Sequence, residues 1–331
     1  MFNPKRGAYN CVNTKRILCA DIGGTNSRFG HFEADAAGNL SVAGTKWFRT
    51  GEVASFGHLI RLLRKSDFQL KPGDADIVVI AVAGPVERSV YSFPPLIPWD
   101  IDITNARTDY GFRKALLIND FVAQAYATRS IVGHSAREIL PGQIIPQGTV
   151  AVIGAGTGLG KAMLVSGSNG RYIAMPSEGA HANFPFVSFQ ESRFQEFLIH
   201  ELREEYITAN SVVSGKGLTL IHQFLTGEKL EPKDVMRKCT LDCETLVWAS
   251  RFFGRVCRNF ALEILSFGGM YIAGGIAAKL PQLVTHEAFS REFRSSKTMG
   301  RILAQISVAL MSNEESGLWG AAFLGNQVIQ E

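Results

Sequence analysis

A layered α/β protein of two domains is what this sequence predicts, and three observations predict it. Runs of β-branched and aliphatic residues at 76–83 and 115–118, of the kind found in strands buried on both faces, alternate with segments of helical apolar spacing. Two glycine-threonine turns, Asp21-Ile22-Gly23-Gly24-Thr25-Asn26 and Gly154-Ala155-Gly156-Thr157-Gly158-Leu159-Gly160, each follow one apolar strand and precede another. The chain of 331 residues is long for one domain and comfortable for two.

In chain order, 16–32 reads as a hairpin, 42–50 as a third strand and 55–65 as a helix with Leu59, Leu62 and Leu63 on one face. The buried run 76–83 ends at the turn Gly84-Pro85. A short strand at 90–93 and a polar helix at 104–112 precede the strand 115–118, which stops at Asn119-Asp120. In the second half, 150–154, 161–166 and 171–175 read as three successive strands, succeeded by helices at 189–204, 217–226 and 241–267. Leu246, Trp248, Phe252, Phe253, Val256 and Phe260 crowd the apolar positions of the last, which makes it a core helix. A strand at 270–273 runs into Gly274-Gly275-Ile276, where the backbone can lie against a ligand ring or ribose, or simply turn. A strand at 306–310 and a closing helix at 316–328 complete the chain, with Gly317 and Gly320 allowing close packing at the helix start.

Composition excludes several classes of function. A net charge of +4, with no block of five or six like charges, gives no electrostatic case for nucleic acid or a membrane surface. Five cysteines without a paired framework suggest free thiols in a reducing compartment. Cys239 and Cys243 are spaced for one helical face, but no His or further Cys lies close enough in sequence to complete a zinc site. The longest uncharged run, 139–160, holds prolines and glycines that break any membrane-crossing helix. Residues 1–16 carry Lys5, Arg6, Lys15 and Arg16 without an apolar stretch or a cleavage site, so a loose extension on a cytoplasmic protein is expected.

The turns carry the first chemistry. Glycine permits sharp turns with positive φ and lets backbone N–H groups approach a phosphate oxygen, while Thr25 and Thr157 add hydroxyl donors. Asp21 cannot touch phosphate directly but is placed to hold a magnesium ion through water. Ordinary hairpin loops favour the same residues, yet two similar turns, each ending a buried strand, point to phosphate binding. The second turn lacks the opening glycine and closing Ser or Thr of a P-loop, and Leu159 stands where a dinucleotide fingerprint needs its third glycine. Residues 161–165, directly after that turn, read as a strand, so strand-turn-strand is expected.

Asp120 lies at a strand-to-helix junction, where ligands of α/β folds collect. Phosphoryl transfer to an alcohol needs a carboxylate that accepts the hydroxyl proton, and Asp120 is the candidate; position alone fits a helix N-cap equally well. Glu178 and His181 are three apart in Ser177-Glu178-Gly179-Ala180-His181, a pairing that suits sugar hydroxyls, which both donate and accept. Gly179 argues against reading them as a helical metal pair.

Together, Ala-Asp-Ile-Gly-Gly-Thr-Asn-Ser-Arg at 20–28, Ile-Asn-Asp-Phe at 118–121, Gly-Ala-Gly-Thr-Gly-Leu-Gly at 154–160, Ser-Glu-Gly-Ala-His at 177–181, Ile-Ala-Gly-Gly-Ile at 272–276 and Gly-Leu-Trp-Gly-Ala-Ala at 317–322 resemble the bacterial glucokinase family. The match runs in order along nearly the whole chain after residue 16. The resemblance implies a two-domain actin/hexokinase-like (ribonuclease H-like) fold with an interdomain cleft for ATP, Mg2+ and a hexose. It implies a smaller domain at 17–130, joined by the terminal helix 315–331, and a larger one at 131–314. It further implies that Asp120 activates the sugar 6-hydroxyl while Asn119, Glu178 and His181 hold other ring hydroxyls. Gly23, Gly24, Thr25 and Asn26, with Gly154, Gly156, Thr157 and Gly158, would hold the phosphates, Gly274 and Gly275 would lie by the adenosine, and Asp21 would face the metal.

Two positions depart from the family pattern, both on the sugar side. Leu96 stands where the family has a sugar-contacting asparagine, and Asn210, which can still bond a hydroxyl, stands where it usually has a glutamate. Such losses redirect or weaken sugar choice. The readings are therefore a glucose 6-kinase, a kinase for a different hexose, and a weak or inactive sugar or nucleotide sensor. A sugar-responsive repressor would need a DNA-reading helix-turn-helix, for which the segment before residue 17 has no room. The oligomeric state is open, a homodimer included.

Overall fold

The computed structural model describes residues 14–167, 169–241 and 243–330. They divide into two compact units, residues 14–120 with 321–330, and residues 121–320.

In the first unit, β1 (Lys15–Ile22), β2 (Asn26–Ala34) and β3 (Leu40–Arg49) form an antiparallel meander, after which come α1 (Phe56–Lys65) and β4 (Ile77–Val82). The two-residue strands β5 (Tyr91–Ser92) and β6 (Ile101–Asp102) pair as a small ribbon before α2 (Ala106–Tyr110) and β7 (Ala115–Asn119). The sheet order is β3-β2-β1-β4-β7, with β1, β4 and β7 parallel. Each of the six residues of β4 is buried, as its unbroken apolar run requires of a strand covered on both faces. Ser55 starts α1 by accepting the His58 N–H (3.1 Å), and the helix lays Leu59, Ile60 and Leu63 into a core with Leu18, Val78 and Ile80. Burial stabilises each such side chain by about 1.5–3 kcal/mol. Residues 1–13 of the expected extension lie outside the described residues. Lys15 and Arg16 already belong to β1, where the Arg16 N–H donates to Asp76 Oδ2 (2.8 Å).

The second unit opens with α3 (Asp120–Ala127), α4 (Ile131–His134) and the edge strand β8 (Arg137–Leu140). A second antiparallel meander is built from β9 (Val150–Ala155), β10 (Leu159–Ser166) and β11 (Tyr172–Ser177). Next come α5 (Phe189–Leu202), α6 (Ala209–Val212), α7 (Gly215–Thr226), α8 (Pro232–Lys238) and α9 (Glu244–Ile264). After β12 (Met270–Ala273) lie α10 (Gly275–Lys279), α11 (Gln282–Thr285), α12 (Glu287–Phe293) and α13 (Gly300–Gln305), then β13 (Val308–Leu310) and α14 (Ser316–Ile329), whose residues from 321 on belong to the first unit. The sheet order is β11-β10-β9-β12-β13-β8, with β12 parallel to β9 and β13. A meander flanked by parallel strands thus occurs once in each unit.

The core helix α9 is shorter than the expected 241–267 at both ends. Cys243 Sγ accepts the Leu246 N–H (3.3 Å) at its start, and Leu265 turns left-handed (φ 48°) at its end. Cys239 lies just after α8 and Cys243 just before α9, so the two thiols do not share a helix face. Gly274-Gly275 opens α10 and is not the simple turn of the alternative reading, and Gly274 alone adopts positive φ (89°) there. A Cβ at Gly274 would also lie 2.6 Å from the Ala155 carbonyl oxygen, so both conformation and space demand glycine.

Gly320, at the start of α14, lies directly against the Ala123 carbonyl of α3, and any Cβ there would overlap that oxygen. Gly320→Ala is expected to lower stability by about 1–3 kcal/mol, the cost of overpacking a rigid contact. Calorimetry measures it, and an unchanged melting temperature would contradict the packing.

Candidate active site

In the first unit the site begins at the carboxyl ends of parallel strands. The Ala83 N–H donates to the Ile22 carbonyl (3.1 Å), and Val82 pairs with Asn119, so the first glycine-threonine turn and Asn119-Asp120 occupy the same carboxyl end of the sheet. Ligands of open α/β sheets collect there. The turn is closed by Gly23 N–H to Asn26 O (3.0 Å) and braced by Thr50, whose hydroxyl donates to Gly23 O (2.7 Å) and whose N–H donates to Thr25 O (3.0 Å). Gly24 and Thr25 are exposed at its tip. Asn119 donates from Nδ2 to Gly84 O (3.0 Å), which fixes its side chain at the strand end. Asp120 is half-buried and opens α3, so its carboxylate lies in the first helical turn, where the helix dipole favours negative charge.

Asp21 sits on β1 opposite Arg28 of β2, and Arg28 Nη1 donates to Asp21 Oδ2 at 3.1 Å. Burial raises the Asp21 pKa above its ordinary value, with the Arg28 charge and hydrogen bond opposing that rise. The guanidinium carbon of Arg28 stacks 4.4 Å from the Trp47 ring centre, which holds it in place. Sequence reasoning missed Arg28 and Trp47 as neighbours of Asp21; the signal was the alternation of β2, which puts Arg28 on the Asp21 face.

In the second unit β9, the Gly156–Gly158 segment and β10 form the expected strand-turn-strand, and β12 runs parallel beside it with Ala273 opposite Gly154. The second turn and the Gly274-Gly275 start of α10 therefore share the carboxyl end of these two parallel strands. Gly156 N–H donates to Gly158 O (2.7 Å), Gly215 N–H to Gly156 O (2.9 Å), and Leu159 N–H to Asn210 Oδ1 (2.8 Å). Thr157 is exposed at the tip.

None of Gly23, Gly24, Gly154, Gly156 and Gly158 adopts positive φ, which corrects the expectation that these turns need glycine for its conformational freedom. Space explains several of them instead. A Cβ at Gly24 would lie 3.0 Å from the Leu96 carbonyl oxygen, and one at Gly154 would overlap the Ala273 carbonyl.

β11 ends at Ser177, paired with Lys161 of β10, and delivers Glu178 to a single 3-10 turn, Gly179–His181. Glu178 and His181 side chains are 62% and 61% exposed with Glu178 Oε2 and His181 Nε2 3.7 Å apart, so both can meet a ligand. The Ala209 N–H donates to Ala182 O (3.1 Å), which ties this turn to the Asn210 segment. Glu178, His181, Asn210 and the second glycine turn are thus joined by short backbone links. Leu96, in the first unit, is 52% exposed and presses its backbone on Gly24. Among the described residues no cluster of three or more His, Cys, Asp or Glu could cage a metal, and no helix is long and apolar enough to cross a membrane.

Residues 18–328 match the family model described as glucokinase. The chain belongs to the glucokinase family. It is 31% identical to the glucokinase of Pectobacterium atrosepticum over 327 residues, 96% of this chain and 98% of that one. It is 28% identical to a Nostoc glucokinase over 340 residues, covering 92% and 97%. A solved glucokinase from an Antarctic psychrotroph superposes with a TM-score of 0.79 at 26% identity, over 94% of this chain and 98% of that one. The glucokinase of Balamuthia mandrillaris, solved in complex with glucose, gives 0.77 at 19% identity over 96% and 95%, a likeness of fold. The α/β architecture is that of the actin-like and hexokinase-like sugar kinases.

Proposed function

We propose that this protein transfers the γ-phosphoryl group of ATP to the 6-hydroxyl of glucose, with Asp120 as the base. One observation supports the reading above the rest: each unit carries a glycine-threonine turn at an end of its sheet's strands, and Asp120 stands at the same end as the first. In the reaction the sugar O6 forms the new bond to phosphorus and the bond from phosphorus to the β,γ-bridging oxygen breaks. ADP leaves with the electron pair, and the hydroxyl proton passes to the Asp120 carboxylate and then to water. Backbone N–H groups and threonine hydroxyls of the turns bind the phosphates, while Asn119, Glu178, His181 and Asn210 orient the sugar. Gly274 and Gly275 lie beside the adenosine, with open space where a Cβ at Gly275 would stand.

Magnesium fits the residues present. It usually keeps several waters and takes one or two carboxylates with substrate phosphates, and Asp21 offers one carboxylate whose Oδ2 is already shared with Arg28. Held through Asp21 with the nucleotide, such an ion would supply neutralisation of the charge that builds on the phosphates. We further place the protein in the cytoplasm, a location supported by the free thiols of Cys19, Cys239, Cys243 and Cys257.

A coupled ADP-release assay with glucose, mannose, galactose and fructose tests the reading. Glucose is expected to give the highest kcat/KM, and excess EDTA to remove turnover. ATP binding with no sugar-dependent ADP release would support the sensor instead, and a higher kcat/KM for another hexose would trace to Leu96 and Asn210.

A further inference from the structure

We propose that Asn210 is a positioning residue of the nucleotide turn, holding the Gly156–Leu159 loop in its phosphate-binding shape, and not solely a sugar ligand. The inference rests on the kinase reading above and names what this residue does within it. Three observations carry it. Asn210 Oδ1 accepts the Leu159 N–H at 2.8 Å across 51 positions of chain, so a side chain remote in sequence fixes the exit of the loop. A Cβ at Gly158 would lie 2.8 Å from the same oxygen, so the loop approaches Asn210 as closely as glycine allows. Five residues on, the Gly215 N–H donates to Gly156 O at 2.9 Å. The α6–α7 segment therefore grips the turn on both sides of Thr157, from a side chain at one end and a backbone amide at the other.

The consequence for the sugar is direct. An Oδ1 that accepts from the turn has one of its two lone pairs taken, so toward a sugar hydroxyl Asn210 acts chiefly through its two Nδ2 hydrogens. The Ala209 N–H bond to Ala182 O, one residue before Asn210, links this clamp to the turn bearing Glu178 and His181. The two halves of the substrate site in this unit are thus built on one short segment.

Binding and exchange measurements on Asn210→Ala and Asn210→Asp test the proposal. With sugar absent, calorimetry on Asn210→Ala is expected to show ADP, in the presence of magnesium, binding about tenfold more weakly, the worth of roughly one hydrogen bond. The Leu159 amide is expected to exchange its hydrogen about tenfold faster, and glucose affinity, read by tryptophan fluorescence without nucleotide, to fall by no more than about tenfold, the loss of the one bond Nδ2 donates to a hydroxyl. Asn210→Asp keeps an oxygen for the same N–H and is expected to retain the slow exchange at Leu159. Loss of glucose affinity with ADP affinity and Leu159 exchange unchanged in Asn210→Ala would overturn the proposal, as would fast exchange at Leu159 in Asn210→Asp. A wild type that binds ADP but never phosphorylates glucose would sink the kinase reading, and these binding measurements would still decide the role of Asn210.

Discussion

Asp120→Asn is expected to lower kcat for glucose phosphorylation by about a thousandfold, within the range a positioned general base supplies. The amide matches the carboxylate in size and can still hydrogen-bond the sugar, but it cannot take up the proton. Glucose binding, measured by fluorescence in the absence of nucleotide, is expected to stay within about tenfold of the wild type, so the loss falls on the chemical step. An Asp120→Asn protein with near-normal turnover would remove the base from the mechanism. The placement behind this expectation is local: β7 ends at Asn119, Asn119 is anchored to Gly84, and Asp120 begins α3 at the end of the sheet that carries the first turn.

The second large effect concerns stability. Arg255 of α9 is 1% exposed and pairs with Glu191 of α5 through Nη1 to Oε2 at 2.6 Å and Nη2 to Oε1 at 3.1 Å. It also donates to Glu292 Oε1 (2.8 Å) and Pro185 O (2.8 Å), while Arg251 adds a contact to Glu191 Oε1 (3.2 Å) and Arg258 one to Glu292 Oε1 (3.1 Å). The Arg255 guanidinium lies over the Phe184 and Phe252 rings of the core. Arg255→Ala leaves Glu191 charged, buried and short of its bidentate partner, which costs about 3–5 kcal/mol and lowers the melting temperature by about 10 °C. Lys238 and Glu228 form an exposed, solvent-screened pair that contributes little, so Glu228→Gln serves as the control.

The pH dependence of that loss has a defined sign. Burial pushes the Glu191 pKa up, but hydrogen bonds from Arg255 and the Val187 N–H, with the charges of Arg255 and Arg251, outweigh it and hold the carboxyl below its ordinary value. A group depressed in the folded state contributes stability above its unfolded pKa and loses it as pH falls through the folded one. The difference between wild type and Arg255→Ala is therefore expected to be full near neutrality and to shrink below about pH 4. A gap in melting temperature that widens under acid would contradict the ion pair as its source.

Elements with strong periodicity were readable from the amino acids. The unbroken run of β4, the 3,4-spaced leucines of α1 and the aromatic positions of α9 each reflect burial, and each is found within a few residues of where it is expected. The short pieces were not readable. β8 has only Leu140 fully buried and sits at a sheet edge, and α11, α12 and α13 owe their form to packing around Phe289, Phe293 and Leu303 rather than to any local signal. For the site, residue identities at 119–120 and 178–181 came from sequence. Two partnerships did not: Asn210 with the Leu159 amide joins residues far apart in the chain, and Arg28 with Asp21 depends on cross-strand register. The glycines of the two turns were found for a conformational reason, whereas the folded chain needs several of them for close approach.

Phosphorus NMR of wild-type protein with ATP, magnesium and glucose tests the central claim most directly. Growth of a sugar 6-phosphate resonance in step with ADP, and its absence with Asp120→Asn, is the expected result. ADP appearing only with inorganic phosphate, or a product phosphorylated at another hydroxyl, would contradict it.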